Sequence, residues 1–544
     1  MSTIILYNGP IYTLDPAQPR VQALAIRNGR VLAAGSEGKV QAATGGRAEG
    51  INLQGRAVVP ALTDAHVHFT WYGITRRQVQ LDGVADVETA LELIAARAAE
   101  LPPGAWLIGS GWNHSLWGGQ WPTAAMLDRV VPDRPVFLTR KDGHSAWVNS
   151  RTLELAQIDD QTPDPPGGTI QREKKKATGI LLETALDLVR KILPEETQEE
   201  RLSALQAAIT EAHSYGMAGV HIPPTLHPGD GAHTLTDLQL LRERGQLRLR
   251  CLSHIGLDNF EDALRMGIRS GLGDRWLRIG ALKLFADGSL GSETAEMLSH
   301  YEGRRHLGSQ TIGTEELNDL VLRANRSGIA VIIHAIGDAA NRRVLDAIER
   351  AQRMLSETDP NALEVESKPP KLALPNRIEH CQVLHPRDIP RFAQLGVVAS
   401  MQPIHATSDM EMADRLWGER AALSYAWRAL KESGAVLAFG SDAPVEPLNP
   451  WLSVHAAVTR QRIDGTPPGG WYPEQCISVT DALRGFTVGA AVAAGTAHEQ
   501  GTLMPGMLAD LAVLSDDPFT INPTGLHSVR SELTMIEGEI VWER

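Results

Sequence analysis

At 544 residues, 43% of them hydrophobic and 22% charged, the chain is long enough for more than one domain and typical of globular proteins, which excludes fibrous and disordered classes. With 65 acidic against 52 basic residues, its formal net charge of -13 disfavours nonspecific binding to nucleic acid or an anionic membrane. Three scattered cysteines, Cys251, Cys381 and Cys476, form no CxxC pair, so neither a zinc ribbon nor a disulfide framework is indicated and a reduced, cytoplasmic compartment fits. The opening residues MSTIILYNGPIYTLD lack the basic and long apolar regions of a secretion signal. No stretch approaches the roughly 18 apolar residues that a membrane span needs.

In chain order, residues 1–57 read as short strands separated by turns, with hairpin signals at Asn8-Gly9 and Asn28-Gly29. Residues 501–544 repeat that style in LADLAVLSDD and ELTMIEGEIVWER. Together the two ends predict one small β-sandwich assembled from both termini. Between them, residues 58–500 carry β-branched, apolar runs mostly followed by helical stretches, the pattern of parallel strands buried on both faces. These runs are 56–69, 216–223, 247–255, 277–285, 328–336, 376–382, 396–403 and 434–444. Eight such units close a (β/α)8 TIM barrel. The first two are separated by roughly 150 residues, far more than one unit requires. This insertion, about 70–215, holds six of the twelve tryptophans, a strand RPVFLTR and the loop TPDPPGG, and reads as a subdomain over the barrel mouth. The short basic run Arg172–Lys176 within it reads as a solvated loop or helix face.

The chemistry-bearing residues fall at the C-terminal ends of the barrel runs, where barrel active sites sit. Asp64-Ala-His66-Val-His68 ends the first; side chains two apart on a strand share a face, so both imidazoles can grip one ion. His334 ends AVIIH, His380 ends NRIEH, and Asp442 follows AFGS. Each alone has an ordinary structural explanation, a hydrogen-bonded histidine or a capping aspartate. Five potential ligands on four strand ends are harder to explain that way. Lys283, in ALKLFADGS, is out of place among histidines, because its cation would repel a metal.

The chain resembles the amidohydrolase superfamily, specifically the amidohydrolase family 3 branch that includes N-substituted formamide deformylases. The resemblance runs through DAHVHF (64–69), RKDGHSAWVNS (140–150), LKLFADGSLGS (282–292), HAIGD (334–338), RIEHCQ (377–382), GSDAPVEPLNP (440–450) and GTLMPGMLADLAVL (501–514). It implies a divalent metal, zinc first, with one or two ions per chain. His66 and His68 would hold one and His334 and His380 the other, with Asp442 completing the first. Lys283, carboxylated to a carbamate, would bridge them; the alternative is an unmodified lysine paired with a carboxylate or polarising the substrate. One departure is Pro60-Ala61 where the superfamily often has Pro-Gly, which removes no ligand.

The implied reaction is hydrolysis of a carbon–nitrogen bond other than a peptide bond, in an amide or N-substituted formamide, by metal-activated hydroxide. Asp442 would carry the proton from water to the leaving nitrogen. Trp112, Asp142, His144 and Trp147 are candidates for substrate binding, against simple packing of the insertion. His221, at the end of the second run, either touches substrate or supports a ligand by a hydrogen bond. The competing readings are a mononuclear deaminase of a cyclic nitrogen compound, which Lys283 argues against, and a non-catalytic scaffold, against which every expected ligand position is filled. The expected partner is a small molecule, and a homodimer is a family-style expectation.

Overall fold

All eight apolar runs contribute to a single sheet. In the computed structural model, which describes residues 3–45, 48–141, 144–224, 232–356 and 371–544, the strands are Leu62–Asp64, Met217–Ile222, Arg250–Ile255, Leu277–Phe285, Val331–Ala335, Arg377–His380, Val398–Met401 and Leu437–Phe439. Each pairs in parallel with the next in chain order. The last returns to the first through the Ala65 amide, which donates to the Phe439 carbonyl at 2.9 Å, and the Asp442 amide, which donates to the His66 carbonyl at 2.7 Å. The second, third and seventh strands are buried at every residue, which is why their sequences run apolar without strict alternation. This is a TIM barrel.

The run 56–69 is not one strand. Val58–Pro60 pairs antiparallel with Leu511–Leu514, and the chain then changes sheet at Ala61, so only Leu62–Asp64 enters the barrel. Pro60 has no N–H with which to extend the first ladder. The sandwich uses both termini. One sheet joins Ile4–Tyr7, Ala23–Arg27, Arg30–Gly35 and Glu49–Asn52; the other joins Ile11–Tyr12, Arg20–Val21, Val58–Pro60, Leu511–Leu514, Ser531–Ile536 and Glu539–Glu543. Leu6, Leu24, Ile26 and Val31 meet Leu511, Val513 and Met535 in its core. Asn28 and Gly29, at φ 53° and 74°, form the two-residue hairpin turn that their sequence predicts. Asn8-Gly9 instead carries the chain from one sheet to the other.

Residues Thr70–Leu205 form a second compact unit. Its six-stranded sheet runs in the order Gly168–Glu173, Lys176–Glu183, Ser145–Val148, Val136–Arg140, Leu107–Trp112 and Val79–Gln80. Leu91 and Ile94 of the helix Val87–Glu100 share a core with Leu107, Trp112, Leu138, Trp147 and Ile180. Lys174 and Lys175, both at positive φ and exposed, turn the hairpin between Gly168–Glu173 and Lys176–Glu183, so the basic run is a solvated turn with strand ends on either side rather than a helix face. Among the described residues, no helix is long and apolar enough to cross a membrane.

Candidate metal centre

The site begins with a short turn that the sequence pattern alone misplaced. His66 and His68 lie beyond the first barrel strand, so strand alternation does not bring them together. A turn does: the buried Asp64 carboxylate accepts the His66 amide at 2.9 Å and the Ser441 amide at 3.0 and 3.1 Å, and the His68 amide donates to the Ala443 carbonyl at 3.0 Å, tying the first and last strand ends into one rim. Gly440 makes this possible, because a Cβ there would stand 2.5 Å from Asp64 Oδ1 and from the His66 amide nitrogen. Burial lifts the Asp64 carboxyl to about 7, against the lowering effect of those donors.

The sixth strand supplies two layers of the site. Arg377 and Glu379 alternate on one face, both buried. Arg377 Nε donates to Glu379 Oε1 at 2.9 Å, and its Nη2 donates to Glu379 Oε2, Ser400 Oγ and the Ala65 carbonyl. Glu379 Oε2 lies 2.5 Å from His66 Nδ1. Attraction to Arg377 and His66 overcomes the burial penalty and holds the Glu379 carboxyl well below its usual range. Strict alternation would turn His380 away from the face that Glu379 occupies. Its positive φ of 76° redirects it, so that both residues serve the same centre.

Around the rim the ligand atoms converge. Those of His66, His68 and Asp442 lie within 4.8 Å of one another, as do those of His380, His405 and Asp442. Asp442 Oδ1 is 3.2 Å from His68 Nε2 and 3.5 Å from His66 Nε2, while Oδ2 is 3.3 Å from His405 Nε2. The rings of His380 and His334 are 4.5 Å apart. These residues, with Lys283, line a cavity of about 350 Å³ whose apolar wall includes Phe285, Leu290, Ile336 and Val445.

Hydrogen bonds fix which nitrogen each imidazole turns inward. His66 and His380 donate through Nδ1, to Glu379 and to Gln402 Oε1 at 2.9 Å, and keep a lone pair on Nε2. His334 donates through Nε2 to the Gly288 carbonyl at 2.8 Å and keeps its lone pair on Nδ1. Burial, with the nearby Lys283 charge, lowers His66 and His334 to about 4, and burial with His334 lowers His380 well below its ordinary value. The rings are thus neutral, the form that binds metal. Burial opposes ionisation of Asp442, but hydrogen bonding from His405 and the adjacent His68 holds its carboxyl well below the usual range. His66 Nε2 is buried, makes no hydrogen bond among the described residues and faces Asp442 Oδ1 at 3.5 Å. Neutral imidazoles, an ionised carboxylate and an orphaned buried imidazole nitrogen facing it are what a divalent cation requires.

Lys283 lies in the same wall, 3% exposed, its Nζ 4.7 Å from the centre of the Phe285 ring. Burial, only partly offset by Glu379 and Asp442, lowers its ammonium to about 8.

The other sequence candidates fall elsewhere. His221 is buried, and its Nδ1 accepts from Arg377 Nη1 at 3.0 Å. It is not among the cavity-lining residues; its ring meets the site through Arg377, and its backbone carbonyl accepts the amide of Val67, between His66 and His68, at 3.1 Å. Trp112 and Trp147 are fully buried in the core of the second unit, where their indole N–H groups donate to the carbonyls of Leu138 and Thr123. Both are packing residues there, with no face left for a ligand. His144 is exposed and pairs with Glu183 at 2.9 Å. Asp142 lies outside the described residues. Sequence reasoning missed Arg377, Glu379 and His405. The first two were visible as charges at alternate positions of a buried strand, and His405 as a histidine just past the seventh strand end.

Residues 49–542 match the profile of the amidohydrolase family. Three curated relatives span nearly the whole chain: Protein LONG AFTER FAR-RED 3 of Arabidopsis thaliana (35% identity, covering 95% of this chain and 87% of the relative), putative amidohydrolase YtcJ of Bacillus subtilis strain 168 (32%, 99% and 99%) and N-substituted formamide deformylase of Arthrobacter pascens (28%, 100% and 99%). Among solved structures, an uncharacterized metal-dependent hydrolase from Pyrococcus furiosus is similar at a TM-score of 0.75 and 29% identity, covering 95% of this chain and 100% of its own. With barrel, sandwich and ligand-bearing rim in place, the chain belongs to the amidohydrolase family, as a metal-dependent hydrolase.

Proposed function

We propose that the protein hydrolyses the carbon–nitrogen bond of a small N-substituted formamide or a related amide. The observation that carries this reading is the position of ionised Asp442 between His66, His68 and His405, on the wall of a cavity large enough for a small ligand. Similarity to a formamide deformylase over the full chain supports the choice of bond. His66, His68, His334, His380 and Asp442 would hold the metal, zinc being favoured by the imidazole and carboxylate donors. When bound, a divalent metal lowers the pKa of water and polarises a substrate carbonyl.

The chain's own groups do the rest. Asp442 takes a proton from the attacking water and delivers it to the leaving nitrogen, so that water and formamide become formate and amine. Glu379 keeps His66 in the required tautomer. With its pKa near 8, Lys283 has a substantial neutral fraction in mildly alkaline solution, and the neutral amine adds carbon dioxide with loss of a proton to give an anionic carbamate. That product suits a position between two cations, where an ammonium does not. Phe285, Leu290, Ile336 and Val445 offer the nitrogen substituent an apolar wall.

The test is a panel of N-alkyl and N-benzyl formamides, acetamides, carbamates and esters, offered to zinc-loaded protein with product identification. Release of amine and formate supports the reading. Ammonia release from cyclic amidines, with no turnover of any amide, would replace it with a deaminase.

A further inference from the structure

Gln382 stands two residues after His380, lines the same cavity and is 5% exposed. Its backbone is fixed, the carbonyl accepting the Tyr425 amide at 2.7 Å. Its side-chain amide is not. Oε1 is buried with no hydrogen-bond partner, and no side-chain hydrogen bond holds either end of the amide among the described residues. Buried polar groups are normally paired, so an unpaired amide on a cavity wall is a place where a ligand supplies the missing partner. Other polar side chains nearby each already hold at least one hydrogen bond. Gln402, which does not line the cavity, accepts from His380; Asp409 accepts from Tyr425 Oη at 2.5 Å; Glu446 accepts from Ser408 Oγ at 2.6 Å.

The geometry points to Gln382 as the residue that recognises the N–H of a secondary amide substrate. The inference rests on the amide reading proposed above. In that reading the metal polarises the substrate carbonyl, and the polar group left beside the reacting carbon is the amide N–H, a donor. His66 and His380 each donate through Nδ1 and keep a lone pair on Nε2, which would serve a metal. Gln382 Oε1 is an acceptor with no competing donor. No hydrogen bond fixes the terminal amide, so a half-turn can exchange its oxygen and nitrogen without breaking one. A tertiary amide has no such proton and would leave the oxygen unpaired. Sites built around a buried hydrogen bond discriminate strongly against analogues that lack it.

The test compares N-benzylformamide with N-benzyl-N-methylformamide on wild type and Gln382→Leu. It measures kcat/KM on zinc-loaded protein and, independently of turnover, saturation-transfer NMR binding to metal-stripped protein; metal content is determined for both proteins. Wild type is expected to favour the secondary amide by about tenfold or more in both readouts. In Gln382→Leu the preference should fall towards one, through loss on the secondary amide alone, with metal content unchanged. A preference equal in both proteins, or none in wild type (including no binding of either amide), overturns the inference. A Gln382-dependent binding preference without hydrolysis of either amide upholds it and overturns the proposed reaction instead.

Discussion

Glu379 Oε2 lies 2.5 Å from His66 Nδ1, with both residues buried, and this contact turns His66 Nε2 towards Asp442. The carboxylate is itself gripped by Arg377, which also bonds His221 and Ser400. The imidazole that faces Asp442 is therefore the outer end of a charged network that runs into the barrel interior. Replacing Glu379 by Gln keeps the volume and removes the charge. Zinc affinity, measured by competitive chelator titration, should fall about 10–100-fold. An unchanged affinity would show that the network serves folding alone.

Asp442 and His405 separate two roles. Asp442→Asn keeps a donor atom but no longer accepts a proton, and should lower kcat by about 100-fold or more while KM changes little. His405 sits between Asp442 Oδ2 and Glu446, where burial is outweighed by both carboxylates and its imidazole is raised to about 10. His405→Gln should lower kcat by about 10–100-fold through misplacement of Asp442. Steady-state kinetics with parallel metal analysis distinguishes loss of chemistry from loss of metal.

Trp112 tests the packing reading of the second unit. Being fully buried, with its N–H on the Leu138 carbonyl, Trp112→Ala should destabilise that unit by about 3–5 kcal/mol. Limited proteolysis would locate the loss within Thr70–Leu205. A raised KM with unchanged stability would return Trp112 to the substrate.

His213 provides a pH signature remote from the rim. Its Nε2 donates to the Arg248 carbonyl at 2.9 Å, and burial lowers its pKa from 6.5 to about 4. Between those values the unfolded chain binds a proton that the folded chain does not. Stability therefore rises with pH across this window, is fully present above 6.5, and is lost as pH falls towards 4. Relative to His213→Gln, wild type should lose about 3 kcal/mol of unfolding free energy between pH 7 and pH 4. Equal pH dependence in urea denaturation would contradict this.

Periodicity made the barrel strands legible because parallel strands buried on both faces must be apolar throughout. It could not reveal that Val58–Pro60 and Leu62–Asp64 belong to different sheets, because both are largely buried and apolar periodicity runs on across Ala61; Pro60 was the one local signal. His66, His68, Lys283, His334, His380 and Asp442 were legible as polar residues at the ends of apolar runs, and the structure brings them to one cavity. Glu379 and Arg377 were visible as charges on a buried strand, but their role was not, because it depends on partners brought together only by the fold: His66, His221 and Ala65 more than 150 residues away and Ser400 on the next strand. The tryptophans misled for a related reason. Indoles suit cores and ligands equally, and only three-dimensional burial assigns Trp112 and Trp147 to a core.

The central claim, metal-dependent cleavage of a carbon–nitrogen bond at Asp442, is tested most directly by product stoichiometry. Metal-stripped protein, reconstituted with zinc and bicarbonate, is supplied with N-benzylformamide, and formate and benzylamine are quantified. The account predicts equimolar products that require the metal and fall sharply in Asp442→Asn. Tight zinc binding with no cleavage of this or any other amide, or cleavage indifferent to metal and to Asp442, would contradict it.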